Sequence, residues 1–325
     1  MSKAQEFTLT NSQGTRVVLT NVGASIMELS LKDRDGELRS VVAGFSSAEQ
    51  YLDPEYQKKN LCHGASVGRV AGRLADGLLN VGSNYYILET DNGLHLHSGR
   101  CGFQHQVWEV AQQVGSESIK FKLFQEEGHC GYPGNVTVTA EYSLSENNEL
   151  ELVYKATTDA PTAINMCNHS YFNLSGGGTV LNHHLKIPAF LFLETDEYTV
   201  PTGKLLNTAE YNLDFNIARP IKECLGSGLD HALQIDRKGN IELYSPESGI
   251  GVNIETNQAA VVVYTPQNFD GLQLANDTYG DFPAICLEFQ AFPDAPNHAN
   301  FPNIRLDPGQ EYLNRTVYAF SVDGK

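Results

Sequence analysis

Asparagine, histidine and tyrosine side chains are concentrated between Asn165 and Leu174, just before a run of three glycines. The length of this segment and the glycines after it predict a β-strand that runs into a loop. Because side chains alternate along a strand, we expect His169, Tyr171 and Asn173 to share one face and to bind a polar ligand. The segment alone fits equally well with a buried histidine and tyrosine that bond only to the backbone.

A single carboxylate, that of Glu288, interrupts the apolar segment from Ala284 to Phe292. An ionised carboxylate is costly to bury unless it is paired or used in catalysis. Burial also raises the pKa of a carboxyl group towards the range of a working general base. Glu288 is therefore a candidate base, although an ion pair with an arginine such as Arg73 would also explain its position.

Two histidines, His95 and His97, are two residues apart and fall on one face of another short predicted strand. Such a pair is a known metal-ligand pattern, and His169 and Glu288 could supply the remaining ligands. One ligand-facing or structural histidine beside one incidental histidine is the simpler interpretation of the same spacing.

Two arginines and an aspartate have side chains that suit sugar hydroxyls. Arg69 and Arg73 lie among small residues, and an arginine presents a fixed fork of hydrogen-bond donors. For Arg69 we expect a surface ion pair with a carboxylate instead. Asp230 precedes a strand, where an aspartate is most often a turn former but can also accept bonds from a ligand.

The elements that position these side chains are predicted to be strands along the whole chain. Apolar and polar residues alternate in residues 27–32, 119–123, 136–142 and 150–155. A capping box from Ser46 to Glu49 predicts one short helix through Leu52. Many short strands predict an all-β fold, an antiparallel sandwich or barrel in a single domain over residues 1–325. The irregular residues 51–66, 196–228 and 268–282 are expected to build the site or line its rim.

Composition predicts a soluble globular protein and excludes several partners. Among 325 residues, 22 Lys plus Arg stand against 39 Asp plus Glu, giving a formal net charge of -17. That charge repels phosphate backbones and anionic lipid, so nucleic acid and membrane are not expected partners. We find no secretion signal and no apolar run of membrane-spanning length. We therefore expect a cytoplasmic protein whose six cysteines are reduced and mostly buried.

Five segments together resemble the aldose 1-epimerases, also called galactose mutarotases. The resemblance extends over nearly the whole chain, and agreement of several motifs in order is far more specific than any one motif. The segments are Gly68 to Arg73 (G-R-V-x-x-R), Leu96 to Gly99 (L-H-x-G), Asn165 to Gly176 (N-x-x-N-H-S-Y-F-N-L-x-G), Gly228 to His231 (G-x-D-H) and Leu287 to Asn297 (L-E-x-Q-x-x-P-D-A-x-N).

The resemblance implies a large antiparallel β-sandwich, called a supersandwich, that holds a sugar in an open cleft. It implies that Glu288 is the general base and His169 the general acid, and we expect the two to face each other across one sugar ring. It implies neither a metal nor an organic cofactor. The residues expected to contact the sugar are Arg73, His97, Tyr171 and Asp230.

Two positions depart from the pattern of the family that the chain resembles. Many members have asparagine immediately before the sugar-contacting arginine, where this chain has Gly72, and some have glutamine near Val262. Both changes remove hydrogen-bonding groups from the expected cleft. They leave the preferred aldose open, whereas the chemistry depends on other residues.

The resemblance therefore predicts an aldose 1-epimerase that interconverts the α and β anomers of free aldohexoses such as galactose and glucose. A small neutral sugar is the expected partner, and the protein is expected to be a monomer or a homodimer. One alternative is a metal-dependent sugar isomerase or lyase that uses His95, His97, His169 and Glu288. Another is a non-catalytic carbohydrate-binding sandwich, although such modules usually bind through exposed aromatic platforms and the chain has a single tryptophan, Trp108.

Overall fold

A computed structural model of the chain describes residues 3–323, except residues 92, 237–238, 270 and 277. Strands follow one another through this part of the chain, as the alternation of apolar and polar residues predicted. The first third contains β1 (Glu6–Thr10), β2 (Arg16–Thr20), β3 (Ser25–Lys32), β4 (Leu38–Ser40), β5 (Ser66–Val67), β6 (Arg73–Leu74), β7 (Leu78–Val81), β8 (Asn84–Ile87) and β9 (His95–Leu96). The middle contains β10 (Glu109–Val114), β11 (Ser118–Gln125), β12 (Val136–Leu144), β13 (Glu149–Thr158), β14 (Thr162–Ala163), β15 (Cys167–Asn168), β16 (Tyr171–Phe172), β17 (His184–Lys186), β18 (Leu191–Thr195) and β19 (Pro201–Asn207). The last third contains β20 (Arg219–Pro220), β21 (Asp230–Gln234), β22 (Ile241–Tyr244), β23 (Ile250–Thr256), β24 (Ala260–Tyr264), β25 (Ile285–Gln290), β26 (Arg305–Leu306) and β27 (Tyr312–Val322).

Helical structure among the described residues is limited to short turns. The single α-helix there is α1 (Pro54–Lys59), and the 3-10 turns are Ala48–Leu52, Ala75–Gly77, Gly99–Cys101, Phe103–His105, His129–Gly131, Thr208–Tyr211, Ile221–Glu223 and Ala295–Asn297. The predicted capping box is displaced by one residue, because the N–H of Ser47 donates to the side chain of Gln50 at 3.1 Å. No helix in the described part of the chain is long and apolar enough to cross a lipid bilayer.

Three sheets contain most of the strands. The first four strands form one sheet in sequence order. A nine-stranded sheet has the order β10-β11-β12-β13-β27-β23-β22-β17-β20, and a six-stranded sheet has the order β16-β25-β24-β21-β18-β19. Neighbouring strands in these sheets are antiparallel, for example β12 with β13 and β24 with β25. The predicted all-β antiparallel fold is confirmed.

The main core lies between the large sheets. Alternate residues of β12, such as Val138 and Ala140, pack in one cluster with Leu287 and Phe289 of β25 and with residues of the first sheet. This packing of inner faces, each made of every second residue, is that of a β-sandwich. The alternating pattern of each strand places its other residues on the opposite face, and on β25 these include the polar side chains.

The segment around His169 is not one continuous strand, contrary to the prediction. β15 pairs with β5, so that Cys167 lies opposite Val67, whereas β16 pairs with β25, so that Tyr171 lies opposite Cys286. The chain changes sheets at His169, whose N–H donates to the carbonyl of Ala65 at 2.9 Å. The change of sheet, rather than alternation along one strand, sets the direction of this imidazole.

Three further expectations are corrected by the fold. Asn173 lies in a loop where its side-chain amide donates to the carbonyls of Gly177 and Pro283, so it serves the backbone. Two of the six cysteines, Cys101 and Cys130, form a disulfide, and the other four are free and buried. Residues 51–66 and 196–228, which were expected to be irregular, contain regular structure, namely α1 and β19.

The expectation that Arg69 forms a surface ion pair is also wrong. Arg69 is only 1% exposed, and its guanidinium donates to the side chain of Gln125 at 2.6 Å. It also donates to the carbonyls of Pro133 and Gly134 at 2.9 and 3.0 Å, and to those of Gln125 and Glu126. A guanidinium has five N–H groups, and here they bind the turn of residues 125–134 to the start of the segment that carries Arg73.

Candidate active site

A cavity of about 190 Å³ opens on the face of the six-stranded sheet that points away from the core. It is as large as roughly six water molecules, which suits one small ligand. All six residues predicted to form the site line this cavity. They are Arg73, His97, His169, Tyr171, Asp230 and Glu288.

The sheet register explains how strands distant in sequence contribute to one cavity. In antiparallel strands, residues directly opposite each other have side chains on the same face. Glu288 lies opposite Val262, and Val262 lies opposite Ala232, which gives one row across the cavity floor. A neighbouring row runs from Tyr171 through β25 and β24 to Asp230.

Glu288 lies at the base of the cavity with its side chain 4% exposed. One carboxylate oxygen, Oε1, is 3.4 Å from Nε2 of His169, and the other, Oε2, accepts from the thiol of Cys167 at 3.2 Å. Burial raises the pKa of Glu288, while the imidazole of His169 and the Cys167 thiol each act to lower it. A buried carboxylate held in this way is a stronger base than an exposed one.

His169 and Glu288 are adjacent, so the expectation that one sugar ring separates them is wrong. Their 3.4 Å separation is longer than the 2.7–2.9 Å typical of a charge-assisted hydrogen bond, so the pair is not locked together. The other ring nitrogen of His169, Nδ1, is buried and has no hydrogen-bond partner among the described residues. A ligand can therefore contact the imidazole and the carboxylate from the same side.

His97 lies just after β9 in the left-handed region, with φ of 52°. Its backbone N–H donates to the carbonyl of Gly72 at 3.0 Å, and its Nδ1 accepts from the N–H of Gly72 at 3.1 Å. The pKa of His97 is well below its usual value, mainly because the ring is buried and to a smaller extent because His169 is nearby. The ring is therefore neutral, with its proton on Nε2, and can only donate a hydrogen bond from that atom.

Arg73 and Asp230 lie at the more open side of the cavity. The guanidinium donates to Asp230 at 3.3 Å, and the two side chains are 22% and 35% exposed. Arg73 therefore does not pair with Glu288, and the interpretation of Glu288 as the partner of Arg73 is wrong. A half-buried cation beside a half-buried anion offers donors and acceptors together, which suits hydroxyl groups.

Tyr171 contributes its ring to the cavity wall, while its hydroxyl is already used. That hydroxyl donates to the carbonyl of Leu61 at 2.7 Å, and the ring stacks on His63 with centroids 4.2 Å apart. Its phenolic oxygen keeps only acceptor capacity for a ligand.

The two positions that depart from the family pattern, Gly72 and Val262, both line the cavity. Gly72 has φ of 79°, and a Cβ atom there would come within 2.9 Å of the side chain of Pro293. Any larger residue would therefore be strained unless Pro293 moved.

Two polar residues beside Glu288 were not among those singled out from the sequence. Cys167 contacts Glu288, and Gln290 lines the cavity beyond it. Gln290 could have been found, because it is two residues from Glu288 on the same strand and so shares its face. Cys167 gave no such signal, because its contact with Glu288 joins strands 121 residues apart.

The metal alternative fits these residues poorly. Ligand atoms of His97, His169 and Glu288 lie within 4.8 Å of one another. His97, however, accepts a backbone N–H on Nδ1 and carries its proton on Nε2, so neither nitrogen is free to bind a metal. His95 is elsewhere, bonded to the Tyr132 hydroxyl at 2.8 Å and to a backbone carbonyl.

Comparison with known proteins gives a consistent result over the length of the chain. The family model described as aldose 1-epimerase matches residues 5–319. Galactose mutarotase from Bos taurus is 34% identical over 334 residues, which cover 98% of this chain and 94% of the relative. Aldose 1-epimerase from Escherichia coli (strain K12) is 32% identical, covering 97% of this chain and 95% of the relative.

A solved structure shows the same fold. The crystal structure of an aldose epimerase homologue from C. elegans superposes with a TM-score of 0.92 at 28% identity, covering 98% of this chain and 99% of that one. Sequence and structure therefore agree with the order of motifs and with the antiparallel sandwich. The chain belongs to the aldose 1-epimerase family.

Proposed function

We propose that this protein is an aldose 1-epimerase, an isomerase that interconverts the α and β anomers of a free aldohexose. The observation that carries the proposal is the contact of 3.4 Å between His169 Nε2 and Glu288 Oε1 at the base of a small polar cavity. The names of the relatives, galactose mutarotase and aldose 1-epimerase, support the same activity.

The reaction needs a base and an acid that reach two oxygens bonded to one carbon. Ring opening removes a proton from the hydroxyl on C1 and delivers a proton to the ring oxygen. Ionised Glu288 takes the first proton, and protonated His169 gives the second. Because the hydroxyl oxygen and the ring oxygen are both attached to C1, the acid and base must be close neighbours, which the 3.4 Å separation satisfies.

Closing the ring reverses the two roles and restores the enzyme. Rotation about the bond between C1 and C2 exposes the other face of the aldehyde before His169 removes the proton from the ring-forming hydroxyl. Glu288 then returns its proton to the oxygen on C1. The cycle is balanced in protons and electrons and uses no oxidant, reductant or co-reactant.

The remaining residues would hold the sugar while C1 rearranges. Arg73 and Asp230 would bind hydroxyls at the open side, and the Nε2 proton of His97 would donate to a hydroxyl or to the developing charge. The ring of Tyr171 would form a wall. A small neutral sugar as substrate, a cytoplasmic location and a monomer or homodimer stay predictions of the sequence.

Replacing either member of the pair tests the proposal. We expect Glu288→Gln and His169→Asn each to reduce the catalysed rate about 10²- to 10⁴-fold, because each removes one proton-transfer group. The rate is measured by polarimetry of freshly dissolved α-glucose and α-galactose after subtraction of the uncatalysed change. Glu242→Gln and His184→Asn, which alter residues of β22 and β17 outside the cavity, serve as controls. A near wild-type rate in either cavity variant would remove that residue from its role.

Chelation separates the proposal from the metal-dependent alternative. We expect EDTA to leave the mutarotation rate unchanged, because the tautomer of His97 removes one of the three clustered ligand atoms, those of His97, His169 and Glu288. The measurement is polarimetry before and after dialysis against EDTA, followed by addition of zinc or manganese. Loss of activity on chelation that either metal restores would favour the metal-dependent isomerase.

A further inference from the structure

Gln290 is a buried amide without a partner in the described part of the structure. It ends β25, is 0% exposed, and lines the same cavity as Glu288. Both its side-chain oxygen, Oε1, and its side-chain nitrogen, Nε2, are buried, and neither makes a hydrogen bond to any residue that the structure describes. Buried side-chain amides in folded proteins are almost always bonded, so this exception requires a physical reason.

The two described neighbours of Gln290 on this sheet, Ala260 and Glu288, offer no substitute partner. The residue opposite it on β24 is Ala260, which has no polar side-chain atom. Glu288, on the same face, already contacts His169 and Cys167. The unpaired amide therefore lowers the stability of the empty protein, and such a cost is typical of a group that is kept for a ligand.

The position of Gln290 relative to Glu288 points to the part of the ligand that it would meet. Two residues on one face of a strand are about 6.6 Å apart. A sugar whose C1 lies over Glu288 and His169 would therefore present hydroxyls of its remote carbons to Gln290, and not the reacting atoms. A side-chain amide both donates and accepts, and so does a hydroxyl group.

We propose that Gln290 is a substrate-binding residue that recognises one hydroxyl remote from C1 and so selects aldoses that carry it. The proposal rests on the proposed epimerase function. The hydroxyl donates to Oε1 and accepts from Nε2, or neighbouring hydroxyls share these two roles. A sugar with hydrogen at that carbon leaves the amide unpaired and is rejected, as other sites built to hydrogen-bond a hydroxyl reject analogues without it.

Kinetics with deoxy sugars test the proposal directly. We compare wild type and Gln290→Leu on glucose and on its 2-, 3-, 4- and 6-deoxy analogues, by polarimetry. We expect Gln290→Leu to lower kcat/KM for glucose about 10- to 100-fold, mainly through KM, because the contact lies away from the reacting atoms. For one analogue we expect wild type and variant to have the same kcat/KM, since that analogue lacks the hydroxyl that Gln290 binds.

Thermal unfolding without sugar separates ligand binding from a structural role. Gln290→Leu should keep or raise Tm, because it removes an unpaired buried amide. The matched control is Gln258→Leu, whose amide is also buried but donates to Asn257 and to the carbonyl of Leu313. That control should lower Tm and leave KM unchanged. Gln290→Met is a second variant in case Gln290→Leu does not fold.

Three results would overturn the proposal. The first is an unchanged KM in both Gln290 variants, and the second is an equal loss of kcat/KM on glucose and on every deoxy analogue. The third is a lower Tm of the variants than of wild type without sugar. Failure of the proposed function looks different, because then the wild type would not accelerate mutarotation at all. In that case Gln290 would have no sugar substrate to select.

Discussion

At the scale of single residues, the site depends on one buried carboxylate that must ionise. Burial raises the pKa of Glu288, whereas His169 and the Cys167 thiol act in the opposite direction. Burial also raises the pKa of Cys167 well above its usual value, so the thiol keeps its proton and donates a hydrogen bond to Oε2. That leaves Oε1 facing His169 as the oxygen that would take the substrate proton.

The acid side of the pH–rate profile should report this contact. Activity requires ionised Glu288, so kcat/KM should fall as pH falls through its raised pKa. Cys167→Val removes a donor that lowers this pKa, so the acid limb should move to higher pH. Cys167→Ser keeps a donor and should not move the limb upward. The measurement is polarimetric kcat/KM from acid to neutral pH.

Cys224→Val is the control for the loss of a thiol, because Cys224 is buried in the main core outside the cavity. It should leave the limb where it is in wild type. An unmoved or downward-shifted limb in Cys167→Val would show that the thiol does not tune the base.

At the scale of elements, very short strands carry the rim of the site, and buried polar bonds fix them. β6 and β9 pair through only two residues each, and they place Arg73 and His97. Arg69, four residues before Arg73, ties this segment to the turn of residues 125–134 through five hydrogen bonds. These bonds supply the rigidity that two-residue strands do not.

Loss of the Arg69 guanidinium should therefore destabilise the fold strongly. We expect Arg69→Met to lower the free energy of unfolding by about 3–5 kcal/mol, because several buried acceptors lose their donors together. Arg69→Lys should restore little of this free energy, since a lysine cannot reproduce the planar fork of hydrogen-bond donors. Urea unfolding followed by the fluorescence of Trp108, which is 1% exposed, measures the change.

Arg100→Met is the matched control, because the Arg100 side chain is 78% exposed and pairs with Glu89 at the surface. Arg100→Met should lower the free energy of unfolding by less than about 1 kcal/mol. Equal effects of the two substitutions would contradict the structural role given to Arg69.

At the scale of the whole molecule, one apolar cluster joins both ends of the chain. It includes Leu9 of β1, Phe121 of β11, Leu287 of β25 and Phe320 of β27. Strands from the beginning, middle and end of the sequence thus share one core. On this basis we propose that residues 1–325 form a single domain.

A single domain should unfold in one cooperative transition. We expect the fluorescence of Trp108 and the far-UV circular dichroism of the strands to change at the same urea concentration, because the core couples the sheets. Separate midpoints for the two probes would divide the chain into independently folding units.

Local patterns in the sequence were sufficient for the fold class and for part of the site. The alternation in residues 136–142 predicted β12, and the apolar run around Glu288 predicted a buried carboxylate, because both are properties of neighbouring residues. The ordered motifs predicted the family, and the family model confirms it. The six site residues were named from these signals and lie in one cavity.

Which of these side chains touch each other follows from the three-dimensional fold and not from local patterns. The sheet change at His169, the burial of Arg69, the separation of His95 from His97 and the contact of Cys167 with Glu288 all depend on pairing between distant strands. Strand pairing is set by the packing of whole sheets, whereas alternation tells only which face of its own strand a residue occupies. For that reason the sequence determined the types of groups in the site, and the fold determined their partners and therefore their proton states.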